Sequence, residues 1–387
     1  MLTYLPSCYQ SDDALPTLPS DADDASYDVT DKPVLNFKSN GKLIGTPQLK
    51  QLYTPSVHVP FQQLEMTKAL KRGLKKQQQV LKNLRRKAKA NRYEGWTVEW
   101  EHLSNTVDLL LENADQPQYL AQHLDAHQIK GQDDRGNVKI TGYFTPVLKV
   151  RKKKNKTYRY PIYTRPKRWE GRLPSRRQID GEDALKGKGL VLAYASNPVD
   201  IYFMQVQGSG IVEYEDGQRV LFSNNGSNGH SYKSIGKYMV EKDYLPLSKA
   251  SIRGIRRYLN AHPELMDEVL YSNPSYVFFT QQKAQPYGAG LAPLTPNYSI
   301  AVDTRYIPMG ACMLTRVPLL TNDKVVDFEY RVLLAQDIGG AIKGPGRIDL
   351  YMGIGELAQN KASAMHHYGQ MWLLTPKSQD AAIAAKL

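Results

Sequence analysis

The pattern of apolar positions divides the chain into a helical first part and a mainly β remainder. The first predicted helix carries one buried stripe between Lys, Arg and Gln residues, formed by Phe61, Leu64, Leu70, Leu74, Leu81 and Leu84. Segments 100–111 and 119–127 continue the helical spacing. His123 and His127 would then share a helix face. A third ligand is not evident nearby, so we interpret both as ordinary helix residues rather than metal ligands.

The remainder of the chain alternates between strand and helix signals. From Val138 to Phe222, β-branched and aromatic runs are broken by Gly, Pro and Asn, which is typical of strands separated by turns. Residues 232–243 and 247–262 have helical spacing again. The later strands, with one helix at Glu356–His367, are predicted at Ser299–Asp303, Cys312–Val317, Glu329–Ala335, Ile348–Met352 and Met371–Leu374. Five or six short strands in roughly 80 residues predict a compact β-barrel.

Length and composition indicate a folded chain with an excess of positive charge. Its 387 residues allow two or three domains, and a hydrophobic content of 41% is enough for a core. The formal net charge of +13 excludes an acidic solvating protein and favours a polyanionic partner. Two cysteines, Cys8 and Cys312, exclude a disulfide framework and any all-cysteine metal site. No run in the sequence approaches the roughly 18 apolar residues of a membrane-spanning helix.

Two basic segments account for the net charge. Residues 61–100 contain eleven Lys and Arg against three Glu, and residues 147–188 contain fifteen against four acidic residues. The second segment includes the run Arg151–Lys156 between predicted strands at 142–148 and 158–163, which predicts a solvated hairpin tip. Charge alone leaves a nucleic-acid-binding protein open. The sequence has no zinc-finger, RNA-recognition or basic-zipper pattern to support that class.

The N-terminal segment differs in composition from the rest. Residues 1–40 contain seven Asp and two Lys among Pro and Ser, which predicts a disordered acidic tether. Before it, Leu5-Pro-Ser-Cys8 has the outline of a lipoprotein cleavage site, although only seven residues precede the cysteine. A secretory signal needs a basic start and an apolar segment. Two interpretations stay open: Cys8 is the lipidated anchor of a chain whose start is truncated, or it is an incidental residue.

Three Asp residues near the end of the chain lie within or beside apolar strand-like runs. They are Asp303, Asp337 and Asp349, and a Gly-rich stretch follows Asp337 as far as Gly344. Burial of an unpaired carboxylate is costly, so each residue needs a partner or a chemical role. Turn capping is one interpretation. Paired carboxylates beside a Gly-rich opening are also what glycoside cleavage uses. The stretch lacks the spacing of a phosphate-binding loop, which argues against nucleotide binding.

Nine segments, in order along the chain, carry a resemblance to a known family. They are Thr141–Pro146, Tyr160–Tyr163, Gly171–Arg176, Met204–Gly210, Asn228–Gly236, Asn273–Phe279, Asp337–Gly344, Ile348–Tyr351 and His367–Gly369. With these segments the sequence resembles the membrane-bound lytic murein transglycosylase A family. One departure from the family pattern is Arg347-Ile-Asp349, where His-Phe-Asp is usual.

The resemblance implies a mainly β fold with helices. A six-stranded double-psi β-barrel would carry the three Asp residues, with a second β-rich domain inserted before it and a helical N-terminal part. A groove between the two β domains would hold a glycan strand. The expected division is 1–60, a disordered acidic tether; 61–140, the helical part packing on the barrel; 141–280, the inserted glycan-binding domain; 281–377, the catalytic barrel; and 378–387, a tail.

The resemblance also implies the chemistry. It implies cleavage of the β-1,4 bond between N-acetylmuramic acid and N-acetylglucosamine, with formation of 1,6-anhydromuramic acid and without water, in cell wall turnover. Asp349 would act as acid and then as base, with Asp337 and Asp303 in supporting roles. The expected substrate-binding residues are Gln207, Gly208, Ser209, Asn228 and Lys343.

We expect no cofactor, no metal site and a monomer whose partner is the glycan strand of peptidoglycan. The place would be the bacterial cell envelope, on the periplasmic side of the outer membrane, with a lipidated Cys8 as the tether. Peptidoglycan carries stem-peptide carboxylates and envelope membranes are anionic, so the basic charge fits without nucleic acid. The alternatives are a non-catalytic glycan-binding or wall-loosening module with the same barrel and, more distantly, a basic nucleic-acid-binding protein.

Overall fold

The computed structural model describes residues 53–55, 61, 64–85, 91–93, 96–131, 136–282 and 285–377. These residues form two compact units. The barrel unit contains the described residues as far as Tyr143 together with Tyr287–Gly353 and the residues from Ala364 onward. The second unit, which we call the α/β unit, contains Phe144–Pro286 and Ile354–Ser363.

The elements alternate along the chain between these units. The first are β1 Tyr53–Pro55, α1 Lys68–Arg85, β2 Asn91–Tyr93, β3 Trp96–Val98, α2 Trp100–Glu112, α3 Pro117–His123, β4 Leu124–Ile129 and β5 Val138–Thr145. The next are β6 Val147–Arg151, β7 Tyr160–Tyr163, β8 Val191–Ala195, α4 Pro198–Gln207, β9 Ser209–Glu213, β10 Arg219–Ser227, α5 Ile235–Glu241, α6 Ile252–Ala261, α7 Met266–Tyr271 and β11 Val277–Gln282. The last are β12 Ser299–Val302, β13 Cys312–Thr321, β14 Lys324–Ile338, β15 Arg347–Ile354, α8 Glu356–Ala364 and β16 His366–Pro376.

Six strands of the barrel unit close on themselves. Their order is β16, β13, β14, β12, β15 and β5, and β5 pairs back to β16. The pair β12–β14 is parallel, whereas β13 is antiparallel to both of its neighbours. Closure removes the sheet edges that would otherwise expose unpaired backbone groups. The predicted fold class, a six-stranded β-barrel with a second β-rich domain and a helical part before it, is confirmed.

The strand β16 is shared between two partners. Its first residues pair with β5, in the register His366↔Thr141, and its last residues pair with β4. The predicted helix at 119–127 is therefore wrong in its second half, because the chain turns into β4 after His123. His127 donates to or accepts from Thr375 over 2.9 Å across β4 and β16, and it does not share a helix face with His123.

Two ends of the chain bear on the expected tether and tail. Tyr53–Pro55, inside the segment expected to be a disordered tether, forms β1 and pairs with β4. The other residues of the segment 1–60, including Cys8, lie outside the described residues. The expected tail at 378–387 lies outside them as well.

The helices of the first part pack on the barrel. Helix α1 begins later than predicted, at Lys68, because the hydroxyl of Thr67 accepts the N–H of Leu70 over 3.0 Å and caps the helix. The predicted stripe residues Leu70, Leu74 and Leu81 are buried. The amide of Gln77 on the same helix donates to the carbonyl of Ala311 over 3.0 Å at 0% exposure. One apolar stripe and one buried polar contact thus fix α1 against the barrel wall.

The α/β unit is built on a six-stranded sheet of order β11, β10, β9, β6, β8 and β7. Strands β6 and β7 are separated by β8, so the Arg151–Lys156 run does not form the tip of a hairpin between them. A helix also interrupts the predicted strand region. The side chain of Asn197 caps α4 at Val199, and Gly208 ends it at a φ of 77°. Strands that are separated in sequence pair here, which periodicity alone does not encode.

The boundaries of the two units differ from the expected division at both ends. The residues before Phe144, expected in the inserted domain from 141, belong to the barrel unit because β5 closes the barrel. Helix α8, expected in the barrel, belongs to the α/β unit. There the guanidinium of Arg253 on α6 donates to Asn360.

Candidate active site

Two of the predicted carboxylates lie in one row across three neighbouring strands of the barrel. Ala301 on β12 is paired with Asp337 on β14 and, on its other side, with Asp349 on β15. Directly paired residues point to the same face of a sheet, so the three side chains share a face. The backbones of the two Asp residues are therefore about 10 Å apart, two strand spacings. The small Ala301 side chain leaves room between them.

Asp349 is completely buried in β15, with 0% exposure. Its Oδ1 accepts a hydrogen bond from the hydroxyl of Thr141 on β5 over 2.8 Å. That hydroxyl also lies 3.2 Å from the carbonyl oxygen of Ile348. One carboxylate oxygen is thereby fixed by a side chain from the neighbouring strand.

Asp337 is held by three donors. Its Oδ2 accepts from the phenol of Tyr143 over 2.9 Å, and its Oδ1 accepts from the backbone N–H groups of Ala289 and Ile338, each over 2.9 Å. Burial raises the pKa of Asp337, although these donors act in the opposite direction. Gly288 permits this arrangement, since a Cβ there would lie 2.2 Å from the carbonyl oxygen of Gln336.

Tyr143 lies close enough to Asp337 and Asp349 that the charges of both affect its pKa. Its ring is fully buried, 5.2 Å from the ring of Tyr351. Burial raises the pKa of Tyr143 well above its usual range, and the nearby charges of Asp337 and Asp349 raise it further. The phenol therefore keeps its proton at neutral pH and remains a hydrogen-bond donor there.

Asp303 follows β12 by one residue and has a different environment. Arg305 donates to both carboxylate oxygens, with Nη2 at 2.5 Å from Oδ2, and the N–H of Gly344 donates over 2.9 Å. Burial alone would raise the pKa of Asp303, but the hydrogen bonds and charge of Arg305, with the Gly344 N–H, bring it below its ordinary value. These contacts therefore favour the ionised form of Asp303. Lys343, in the loop that contacts Asp303, is exposed.

Three predicted substrate-binding residues lie together where α4 meets β9. Gln207 is buried, and its Oε1 accepts the N–H of Phe144 over 3.3 Å. Gly208 takes the left-handed conformation that turns the chain out of the helix. Ser209 opens β9 and is paired with Ser223 on β10. These residues belong to the α/β unit, whereas Lys343 and the three Asp residues belong to the barrel unit.

Asn228 is the fourth predicted binding residue in the α/β unit, and its side chain is occupied within the protein. Its Nδ2 donates to the carbonyls of Pro174 and Pro274, each over 2.9 Å, and its Oδ1 accepts the N–H of Tyr276 over 2.9 Å. Exposure is 2%. Both amide hydrogens are used, so we expect Asn228 to fix the surrounding loops rather than to bind a sugar.

The buried Arg176 explains a further part of the sequence pattern. Its guanidinium donates to Oε1 of Gln205 over 2.6 Å and to the carbonyl of Ser275 over 2.8 Å. The guanidinium carbon also lies 4.8 Å from the centroid of the Tyr202 ring and 5.0 Å from that of Tyr276. A buried cation needs such partners to offset its loss of hydration. The segments ending at Arg176 and containing Ser275 are therefore held together from inside the unit.

Sequence reasoning missed Thr141, Tyr143 and Arg305 as parts of the site. Thr141 and Tyr143 are two residues apart on β5, so they point to the same face and each reaches a different carboxylate. The signal available was this i, i+2 spacing of two hydroxyl groups in a predicted strand. Which carboxylates they reach depends on the closure of the barrel.

The described part of the chain contains no group of three His, Cys, Asp or Glu side chains placed to hold a metal ion. Nor does it contain a helix that is long and apolar enough to cross a membrane.

Comparisons with known proteins agree with this geometry. Residues 139–280 match the family model of the MltA specific insert domain, and residues 298–375 match that of the 3D domain. Membrane-bound lytic murein transglycosylase A of Escherichia coli K12 is 41% identical over 256 residues, covering 65% of this chain and 69% of the relative. The Vibrio cholerae protein of the same name is 39% identical over 264 residues, covering 67% of this chain and 71% of the relative.

A solved structure agrees over a longer stretch. The crystal structure of Escherichia coli MltA with bound chitohexaose is 33% identical, with a TM-score of 0.71, and covers 84% of this chain and 95% of that chain. The resemblance that the nine sequence segments carry is confirmed. The chain belongs to the membrane-bound lytic murein transglycosylase A family.

Proposed function

We propose that this chain cleaves the β-1,4 bond between N-acetylmuramic acid and N-acetylglucosamine in peptidoglycan and forms 1,6-anhydromuramic acid without consuming water. The observation that carries the proposal is Asp349, a fully buried carboxyl group held at one oxygen by Thr141 and set in a row with Asp337. Membership of a family whose members are named for this activity supports the same reaction.

In this reaction Asp349 acts first as an acid. Complete burial disfavours the ionised form of a carboxyl group in general, which is the condition that an acid catalyst needs near neutral pH. Thr141 donates to Oδ1, so we assign the transferable proton to Oδ2. The bond between C1 and the glycosidic oxygen breaks, and the leaving oxygen takes that proton.

The same residue then acts as a base. The Asp349 carboxylate removes the proton of the muramyl C6 hydroxyl, whose oxygen forms the new bond to C1 and closes the anhydro ring. The carboxyl group ends the cycle protonated, and water is neither added nor released. A separate nucleophile is unnecessary, because the substrate holds its own hydroxyl close to the reacting carbon.

Asp337 and Asp303 support this site in different ways. Asp337 fixes Tyr143 and the loop at Ala289, and its carboxylate disfavours a second negative charge on Asp349 in the same row. Asp303 stays ionised beside Arg305 and holds the glycine-rich loop through the N–H of Gly344. Both roles position the acid without contacting the reacting atoms.

We propose that Gln207, Gly208 and Ser209 contact the glycan from the α/β unit and that Lys343 does so from the barrel unit. The support is position: the first three form the turn between α4 and β9, and Lys343 lies in the loop that Asp303 holds. Asn228 holds loops of the α/β unit together through its hydrogen bonds to the carbonyls of Pro174 and Pro274.

We propose further that the protein works as a monomer at the cell envelope, on the periplasmic side of the outer membrane. The names of its relatives describe membrane-bound enzymes. A lipidated Cys8 would supply the tether. Labelling with a radioactive fatty acid in cells, compared with Cys8→Ser, tests this point. Equal labelling of both forms would contradict it.

The experiment that tests the proposed function uses intact sacculi and mass spectrometry of the released fragments. We expect anhydro-muropeptides from the native protein and none from Asp349→Asn. Binding to sacculi with no release by the native protein would instead identify a non-catalytic glycan-binding module. Full activity in Asp349→Asn would contradict the assignment of the acid.

A further inference from the structure

A cavity of about 780 Å³ lies within the α/β unit. Three cationic side chains, Arg165, Lys167 and Arg172, line it together with the indole of Trp169, and no Asp or Glu of the described residues is part of the lining. Its volume lies in the range of about 300–1,000 Å³ that is usual for small-ligand sites. All of its lining residues belong to the α/β unit, so the cavity is separate in composition from the Asp row of the barrel.

Among the residues that the structure describes, the three cations have no acidic partner. Within the described residues Arg165 and Lys167 make no hydrogen bond or ion pair, and Arg172 donates one hydrogen bond, over 3.3 Å, to the carbonyl of Gly229. Other arginines of the same unit are paired, for example Arg219 with Glu213 and Arg256 with Asp200. Three like charges around one opening repel each other and attract an anion.

The walls of the cavity are fixed by buried contacts. Asn228, on the wall, holds Pro174 and Pro274 through its side-chain amide. Trp169 packs on a core cluster that includes Tyr163 and Phe278. A site that is already formed loses less free energy to ordering when it binds a ligand.

We propose that this cavity binds the carboxylate groups of the peptides attached to the glycan strand. The proposal rests on the proposed function for the identity of the polymer and goes beyond it in assigning the contact with the peptide. A glycan strand without peptides carries only lactyl carboxylates, each held close to its sugar ring, whereas the attached peptides carry carboxylates on a longer chain that can enter a cavity. A guanidinium matches a carboxylate with two parallel hydrogen bonds, and an indole face accepts the apolar part of a peptide.

The test compares binding to sacculi with binding to glycan strands from which an amidase has removed the peptides. Binding to the insoluble sacculi is measured by co-sedimentation, and binding to the soluble strands by their competition with sacculi. Both use the Asp349→Asn background, so that cleavage does not alter the substrate and the result does not depend on catalysis. We expect the Asp349→Asn protein to bind the peptide-bearing polymer at least tenfold more tightly. In R165Q/R172Q this preference should fall to less than threefold.

A matched variant separates the cavity from general charge. K153Q/K156Q removes the same charge from exposed lysines of the same unit, and we expect it to keep the preference. Thermal unfolding confirms that each variant is folded, and Lys167→Gln alone should give an intermediate loss. Retention of the full preference in R165Q/R172Q would overturn the proposal. An equal loss for both polymers would overturn it as well, because the cavity would then bind the glycan itself.

A competition experiment with inorganic phosphate tests whether the cavity is specific for carboxylates. Phosphate replaces chloride at constant ionic strength, and its effect is compared with that of a free tripeptide that has a terminal carboxylate. At concentrations where the tripeptide abolishes the preference for the peptide-bearing polymer, phosphate should not abolish it. Stronger competition by phosphate than by the peptide would contradict a carboxylate site. Failure of the native protein to release anhydro products would overturn the proposed function while leaving these binding results interpretable.

Discussion

Thr141 on β5 donates a hydrogen bond to Oδ1 of the buried Asp349 on β15 over 2.8 Å. Two residues further along the same strand, Tyr143 donates to Asp337 over 2.9 Å. A single strand of the barrel therefore positions both carboxylates of the row through hydroxyl groups. The reaction that we propose depends on this arrangement, because the two hydroxyl groups hold both carboxyl groups in a defined orientation.

Replacing Thr141 with valine keeps the shape of the side chain and removes the donor. We expect kcat on sacculi to fall about 10- to 100-fold, the equivalent of a hydrogen bond of about 1.5–3 kcal/mol to a charged group. The alkaline limb of the pH–rate profile should move to higher pH, since loss of a donor to the carboxylate raises the pKa of the acid. Thr141→Ser retains the hydroxyl and should keep both the rate and the profile. A slow Thr141→Val enzyme with an unshifted profile would indicate a structural effect only.

Replacing Tyr143 with phenylalanine should lower stability, because Asp337 loses one of its donors inside the barrel. We expect the free energy of unfolding in urea at neutral pH to fall by about 1–3 kcal/mol. Tyr287→Phe, at a position that is 48% exposed, is the matched control and should change little. Equal effects of the two substitutions would argue against the buried hydrogen bond.

The pKa of Asp303, which lies below its ordinary value, predicts a pH-dependent loss of stability. A depressed folded-state pKa contributes stability that is present above the unfolded value of about 3.9 and is lost as the pH falls through the folded value. Asp303→Asn should therefore unfold more easily than the native protein at pH 7, by about 1–2 kcal/mol, and the two should converge as the pH falls through the folded pKa of Asp303. Asp323→Asn, an exposed change, should give no such difference. A constant difference between Asp303→Asn and the native protein from pH 7 to pH 3 would contradict the ionised Asp303.

The sequence predicts the barrel well because its strands are short apolar runs bounded by Gly, Pro and Asp. The predicted strand at Cys312–Val317 lies within β13, and the one at Ile348–Met352 lies within β15. The pairing of strands that are distant in sequence is harder to predict from the sequence. The insertion of β8 between β6 and β7, and the change from α3 to β4 after His123, follow from tertiary contacts that outweigh local spacing.

The residues of the candidate site also divide into those that the sequence predicts and those that only the folded barrel brings together. Asp303, Asp337 and Asp349 were accessible from sequence because a carboxylate in an apolar run needs a partner. Thr141 and Tyr143 lie more than 190 residues from the carboxylates they contact, and only closure of the barrel brings them together. Asn228 shows the reverse case, since a polar residue beside glycine has the same sequence signature whether it faces a ligand or fixes a loop.

The most direct measurement of the central claim is digestion of sacculi in oxygen-18 water, followed by mass spectrometry of the fragments. Capture of C1 by the muramyl C6 hydroxyl consumes no water, so we predict anhydro-muropeptides without label from the native protein and no product from Asp349→Asn. Reducing-end fragments that carry the label would contradict the account, because water rather than the substrate's own hydroxyl would then have attacked.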